Sequence, residues 1–366
     1  MQNPTGQRPA AVVKERRDPF EIGGVTIPAG TRRTVDLPLS LLSNHTPMTV
    51  PVHVVHGRKE GPRLFVCSAL HGDEINGVEI IRRLLQLQRL SRLKGTLLAV
   101  PVVNVYGFVS NTRYLPDRRD LNRSFPGSAN GSLAGQLANL FLQEVVSRST
   151  HGIDLHTGAI HRTNFPQVRA DLTNPEVLRL AYAFGAPLVL DAVLREGSLR
   201  QSAIKQNVPT LTYEAGEALR FDESGIRVGL RGVLHVMGAL GMLSTPEIST
   251  KKPEKKKKMA SVLARASYWV RAPSGGILRT SHLPGERINA NAKLGSIFDP
   301  FGEKEIVVTA NNPGILIGRT NLPVVNQGDA LFHIASVVDV AVAEKSIEQF
   351  REEVEEKTEL EDLDIV

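Results

Sequence analysis

Along the chain, apolar runs that stop at polar, chemically capable residues alternate with stretches whose apolar positions recur three and four apart. Residues 64–69 read as a buried strand, and Ile75, Val78, Ile81, Leu84 and Leu85 give the one-sided spacing of a surface helix. The change of period falls at His71 to Glu74. The same alternation predicts strands at 95–104, 152–158, 187–190 and 209–216, and helices at 133–148, 175–184, 199–206 and 224–243. Extended pieces at 24–28 and 48–57 precede them, and 105–131 is a long turn-rich connection of the kind that usually carries function. Strands alternating with helices from 63 to 243 predict an α/β fold, a mixed and mostly parallel sheet sandwiched by helices. Open α/β sheets place their ligands at the carboxyl ends of their strands.

Past residue 246 the pattern changes. Residues 251–258 carry six lysines against one glutamate, then short β segments follow, broken by Gly, Pro and Asn. The chain is therefore expected to divide into an N-terminal extension with short strands (1–44), an α/β domain (45–246), a Lys-rich linker (247–262), a β domain (263–345) and an acidic C-terminal tail (346–366). Within the β domain, 272–279 is similar to 310–317 and 292–297 to 329–334, which predicts a small all-β barrel or sandwich with pseudo-twofold symmetry. Its halves resemble biotinyl or lipoyl carrier domains. The hairpin at 300–306 lacks the methionines that flank a modified lysine, so no modification of Lys304 is expected.

Bulk properties change this picture little. A length of 366 residues exceeds one comfortable core, in keeping with the division. The single cysteine, Cys67, lies in an apolar strand and reads as a buried structural thiol. The N-terminus lacks the apolar core of a secretory signal and no stretch approaches the roughly 18 apolar residues of a span, so a cytoplasmic protein with no membrane partner is expected. Net charge is +6, much of it in the lysine run; that run has no interleaved aromatics, so no nucleic-acid partner is expected. His53 and His56 fall on opposite faces of a strand and should not share a metal. A homo-oligomer is compatible with the sequence, which leaves oligomeric state open.

Three predicted strands end in groups of catalytic type: His71 with Glu74, His156, and Glu214. Two imidazoles and a carboxylate make the usual open shell of catalytic zinc, which lowers the pKa of a water to about 7 and polarises a carbonyl. A further carboxylate must then move the water's proton to the leaving nitrogen, and Glu214 reaches the same sheet edge. An arginine is needed where the oxyanion develops. The connecting loop offers Arg113, Arg118, Arg119 and Arg123, and guanidinium groups beside Asn122 suit a carboxylate. Each group has a bland reading: His156 with Asp154 as a satisfied core pair, Glu214 as a turn cap, the arginines as solvated loop. Chance would scatter such groups, yet all fall at one edge.

His71-Gly72-Asp73-Glu74, then Asp120-Leu121-Asn122-Arg123-Ser124-Phe125-Pro126-Gly127, Asp154-Leu155-His156-Thr157-Gly158 and Tyr213-Glu214-Ala215-Gly216, in that order, resemble the succinylglutamate desuccinylase/aspartoacylase family of the zinc carboxypeptidase superfamily over roughly residues 45–340. The resemblance implies one Zn2+ per chain held by His71, Glu74 and His156, with Glu214 as general base and acid. It also implies that Asn122 and Arg123 hold a substrate carboxylate and that Arg113 is the closest counterpart of the oxyanion arginine, with Arg118 and Arg119 as alternatives. Asp73 is expected to orient a ligand imidazole. The implied function is hydrolysis of a small N-acyl amino acid or related N-acyl amine. A carboxypeptidase acting on peptide C-termini and a catalytically silent binding module are the alternatives, and the sequence does not identify the acyl group or the amine.

Overall fold

The computed structural model describes residues 17–244 and 261–361, with side chains to residue 352. The start of the N-terminal extension, the lysine run and the end of the acidic tail lie outside the described residues. A hairpin of β1 (Phe20–Ile22) and β2 (Val25–Ile27) leads into β3 (Thr31–Leu41) and β4 (Pro47–His56). Next come β5 (Lys59–Ser68), α1 (Asn76–Gln86), β6 (Lys94–Val100), the short α2 (Val105–Val109), and α3 (Leu133–Phe141), which widens into a π turn over Leu142–Val146. Then follow β7 (His151–Gly158), β8 (Arg162–Ala170), α4 (Pro175–Phe184), β9 (Leu188–Asp191), α5 (Leu199–Lys205), β10 (Thr210–Glu217) and α6 (Glu223–Ala239).

β5, β6, β7 and β10 pair in parallel, which sends the C-terminal ends of β5, β7 and β10 to one edge. Two apolar layers cover the sheet. Ile80, Ile81 and Leu84 of α1 pack with Phe184, Val233 and Tyr213 on one face, and Phe65 and Leu98 pack with Leu137 and Phe141 of α3 on the other. Parallel pairing is confined to the middle, with a second parallel run of β8, β9 and the later β11 (Val262–Arg271). The flanks β3–β4 and β4–β6, and the inner pair β8–β10, are antiparallel, so the sheet is mixed, as expected, with its parallel pairing concentrated between β5 and β10.

The C-terminal segment does not stand apart from this sheet. It adds β12 (Gly276–Arg279), β13 (Arg287–Ile288), β14 (Lys293–Phe298), β15 (Glu305–Thr309), β16 (Gly314–Thr320), β17 (Val324–Val325) and β18 (Ala330–Val337). The order β13-β16-β18-β11-β9-β8-β10-β7-β5-β6-β4-β3 makes one twelve-stranded sheet, while β15-β14-β12-β17 form a second sheet. Leu278 and Ile297 of the second pack on Leu316, Phe332 and Ile334 of the first, so the β region is a sandwich that borrows one layer from the central sheet. The repeat is visible in the pairing: β12 pairs with β14 and β17, as β16 pairs with β18 and β13, each half taking its two-residue strand from the other.

Helix α7 (Val340–Glu361) begins inside the stretch expected to be β, and its acidic sequence is anchored by Ala343, Ile347 and Phe350. Phe350 is buried, and the Arg231 guanidinium lies over its ring at 5.2 Å. Phe350→Ala is expected to destabilise the chain by roughly 3–5 kcal/mol, read as a lower thermal unfolding midpoint; an unchanged midpoint would show the helix to be a passive passenger. Among the described residues no helix is long and apolar enough to cross a membrane.

Candidate active site

The turn after β5 is built to present His71 and Glu74. Ala69 takes a left-handed backbone (φ 50) and Glu74 N–H donates to His71 O at 3.1 Å. Gly72 presses against the backbone of Gly107 and Phe108, where any Cβ would overlap main-chain atoms. Asn76 then fastens the turn to the neighbouring strand end: its amide donates to Ala215 O at 3.0 Å and its carbonyl accepts from Asp222 N–H at 3.0 Å. On β7 and β10, His156 and Glu214 are direct register partners. The four groups read from three strand ends thus meet at one edge, along the wall of a cavity of about 200 Å3.

His71, Glu74 and His156 are all buried, and one ligand-type atom from each lies within 4.8 Å of the others. His71 Nδ1 stands 2.7 Å from Glu74 Oε1, and His156 Nδ1 2.7 Å from Glu74 Oε2. His71 Nδ1 thus faces the carboxylate oxygen as an ion pair rather than through a well-formed hydrogen bond. Two buried imidazole nitrogens and a carboxylate oxygen this close make a donor set that suits zinc. The far nitrogens are tied down: His71 Nε2 donates to Asp120 Oδ1 at 3.0 Å and His156 Nε2 to Asp154 Oδ2 at 2.7 Å. Carboxylates behind ligand imidazoles fix tautomer and orientation. The orienting role expected of Asp73 belongs instead to Asp120 and Asp154; Asp73 Oδ1 is buried without a hydrogen-bond partner.

Without a cation these groups charge one another. Burial pushes the Glu74 carboxyl up, but His71 and His156 outweigh it and hold it far below the carboxylate range. Burial would lower His156, yet Asp154 and Glu74 raise it well above the usual imidazole value, and His71 is raised by Glu74 and Asp120 against its own burial.

Of the loop arginines, Arg113 enters the cavity, while Arg118 and Arg119 are exposed and do not line it. Asn104 accepts from Gly107 N–H and donates to Arg113 O at 3.3 Å, which sets the loop. Arg113 Nη1 donates to Glu74 Oε1 at 3.0 Å and Nη2 to Asp120 Oδ2 at 3.1 Å, so Asp120 holds both an imidazole and this guanidinium. Asp120→Ala should therefore weaken metal retention and lower kcat together, measurable by metal analysis and steady-state kinetics; a loss in one alone would show that Asp120 does not link the two. Asn122 and Arg123 also line the cavity. Asn122 Oδ1 accepts from Leu199 N–H at 3.0 Å at the start of α5, leaving its amide nitrogen for the cavity.

Glu214 lines the same wall, accepting from Asn164 Nδ2 at 2.6 Å and pairing with Arg169 Nη2 at 3.2 Å. Asn164 and Arg169 escaped sequence reading because β8 itself did: it is rich in polar residues and contains Pro166, which argues against a central strand. Pro166 sits where the β8–β10 register shifts. Arg162, Arg195 and Arg200 complete a cationic lining, and Trp269 of β11 closes one side. The Arg162 guanidinium lies 5.1 Å over the Trp269 ring, whose other face stacks on His333 at 4.3 Å. Burial, then the charges of Arg169, Arg195 and Arg162, push His333 down to about 3, so it packs as a neutral ring.

Residues 60–240 match the model of the Succinylglutamate desuccinylase/Aspartoacylase catalytic domain. A curated relative, N-alpha-acetyl-L-2,4-diaminobutyric acid deacetylase of Halomonas elongata, is 28% identical over 307 residues, 79% of this chain and 86% of its own. The fold is that of a succinylglutamate desuccinylase/aspartoacylase from Rhodobacter sphaeroides (TM-score 0.74, 23% identity, covering 88% of this chain and 97% of that one). The product-bound ectoine utilization protein EutE (DoeB) of Ruegeria pomeroyi is similar too (TM-score 0.73, 20% identity, 87% and 96% covered).

Proposed function

We propose, on the premise that this chain belongs to the succinylglutamate desuccinylase/aspartoacylase family, that it is a cytoplasmic zinc-dependent deacylase that hydrolyses the amide bond of small N-acyl amino acids or related amines. The observation that carries this reading is the buried group of His71, Glu74 and His156, whose ligand-type atoms lie within 4.8 Å of one another in the wall of a cavity that Glu214 also lines. Those three residues would hold one zinc ion, whose Lewis acidity would act on a carbonyl and on the attacking water. Glu214 takes the proton from the water and returns it to the leaving nitrogen. Arg113, kept cationic by Glu74 and Asp120 despite burial, faces the developing oxyanion. Asn122 and Arg123 orient the substrate through its carboxylate.

A cavity of about 200 Å3 bounded by Trp269 supports a small substrate over a peptide C-terminus. The Halomonas relative is named for a substrate whose side chain bears an amine. Here Arg113, Arg123, Arg162, Arg169, Arg195 and Arg200 face only Glu74, Asp154 and Glu214 in the lining, which favours a substrate without that cation. Metal analysis of the purified chain, followed by release assays across N-acetyl and N-succinyl amino acids, tests the reading. Zinc at one per chain with hydrolysis of some member is expected, and metal-free protein with no hydrolysis would refute it. Arg113→Ala should lower kcat by roughly 10^2- to 10^3-fold with zinc retained; unchanged kcat would remove Arg113 from the oxyanion.

A further inference from the structure

We propose that Asn164 is a positioning residue for Glu214 and that Gly318, on β16, sets its aim, so that β16 governs turnover without itself lining the cavity. The inference rests on the reading of Glu214 as the group that moves the proton.

A carboxylate only accepts, so the nitrogen of Asn164 must face it, as in the 2.6 Å bond from Nδ2 to Glu214 Oε2. Its carbonyl end, Oδ1, then points to Gly318, its cross-strand partner on β16. On the other side Asn164 pairs with Gly216, two residues beyond Glu214 on β10. The amide is therefore gripped between the strand that carries the carboxylate and a strand from the C-terminal region. Gly318 keeps the gap open: a Cβ there would stand 2.7 Å from Asn164 Oδ1, nearer than real Cβ atoms come, while Thr163 O and His333 Cβ lie at 3.4 and 3.6 Å. Its backbone lies outside the left-handed region, so alanine meets no backbone strain and acts on the Asn164 side chain first.

The contact that brings Gly318 there is short and fastened. β16 meets β8 through Gly318, Arg319 and Thr320 opposite Asn164, Thr163 and Arg162. Asn321 ties the junction, its side-chain amide donating to Thr163 Oγ1 at 2.7 Å and Glu217 Oε2 at 2.9 Å, and its N–H to His161 O at 2.8 Å. With Asn164 displaced, Glu214 would keep Arg169 as partner and lose its second anchor, hence its fixed direction. Gly318 does not line the cavity, so a substitution there can reach the chemistry only through its neighbours.

The test uses the zinc-loaded full chain and whichever N-acetyl or N-succinyl amino acid the wild type turns over fastest. Asn164→Ala and Gly318→Ala should each lower kcat roughly ten- to a hundredfold, with KM changed by less than about threefold. Adding Gly318→Ala to Asn164→Ala should cost no more than about a further twofold, because both act through one side chain. A crystal structure of Gly318→Ala should show the Asn164 to Glu214 bond broken. Wild-type kcat in Gly318→Ala, additive losses in the double variant, a loss confined to KM, or an intact bond would each overturn the proposal. Should Gly318→Ala unfold, an unchanged kcat in Asn164→Ala overturns it alone. Glu214→Gln, run in parallel, separates the two readings. If it stays active the proton role fails, and if it is inactive while Asn164→Ala and Gly318→Ala match wild type, only the positioning proposal fails.

Discussion

Glu214→Gln should lower kcat by roughly 10^2- to 10^4-fold, the range of a lost general base, while zinc content and fold persist. The substitution keeps shape and removes charge and basicity. Glu214 is not among the three residues grouped around the metal position, so metal retention should be untouched. Asn164 Nδ2 can still donate to the amide oxygen, and Arg169 loses its ion pair, so a modest fall in stability is expected. Steady-state kinetics beside metal analysis decide the matter. Full activity with zinc bound would assign proton transfer elsewhere.

The second large effect concerns the metal position. His156→Ala should abolish zinc retention and activity together, since it removes one of the three proposed ligands and strands Asp154 and Glu74 in a buried site. The wild type makes a pH prediction with a definite sign. In the metal-free chain His71 and His156 hold protons above the ordinary imidazole range, and Glu74 stays ionised below the ordinary carboxylate range. The raised imidazoles contribute stability below their unfolded pKa that is lost as pH rises through their folded values. The lowered carboxylate contributes stability above its unfolded pKa that is lost as pH falls. The metal-free fold should thus be most stable between the ordinary carboxylate and imidazole values. Zinc must displace the imidazole protons, so its affinity should climb with pH through and beyond the imidazole range. Calorimetry in buffers of different ionisation enthalpy should show proton release on loading at neutral pH, and affinity independent of pH would contradict the arrangement.

The candidate site was legible because its groups follow apolar runs, and a run of known period announces both strand and edge. His71, His156 and Glu214 share that signature and lie together in the structure. Asp120 was written in its motif without a role, since nothing in the spacing says it faces His71 and Arg113 at once. β3 went unread although Val35, Leu37 and Leu39 alternate, because Pro38 and the charged residues around it break the apolar signal. β8 was lost to Pro166 and its polar faces, and with it Asn164 and Arg169. Trp269 was invisible for a different reason: β11 joins β9 across a long gap in sequence, and pairing between distant strands leaves no local pattern.

The way the twelve-stranded sheet is completed bears on how the protein is made. When a ribosome has added residue 244, the metal-facing groups and Glu214 have been synthesised, but β9 has no partner on its outer side and Asn164 has no Gly318 opposite. A nascent chain at that point presents an open row of main-chain donors and acceptors in place of a wall. Trp269 joins the pocket wall only when β11 arrives, and Gly318 comes opposite Asn164 only with β16, so hydrolytic competence should be acquired late in translation, after the whole sheet has been assembled.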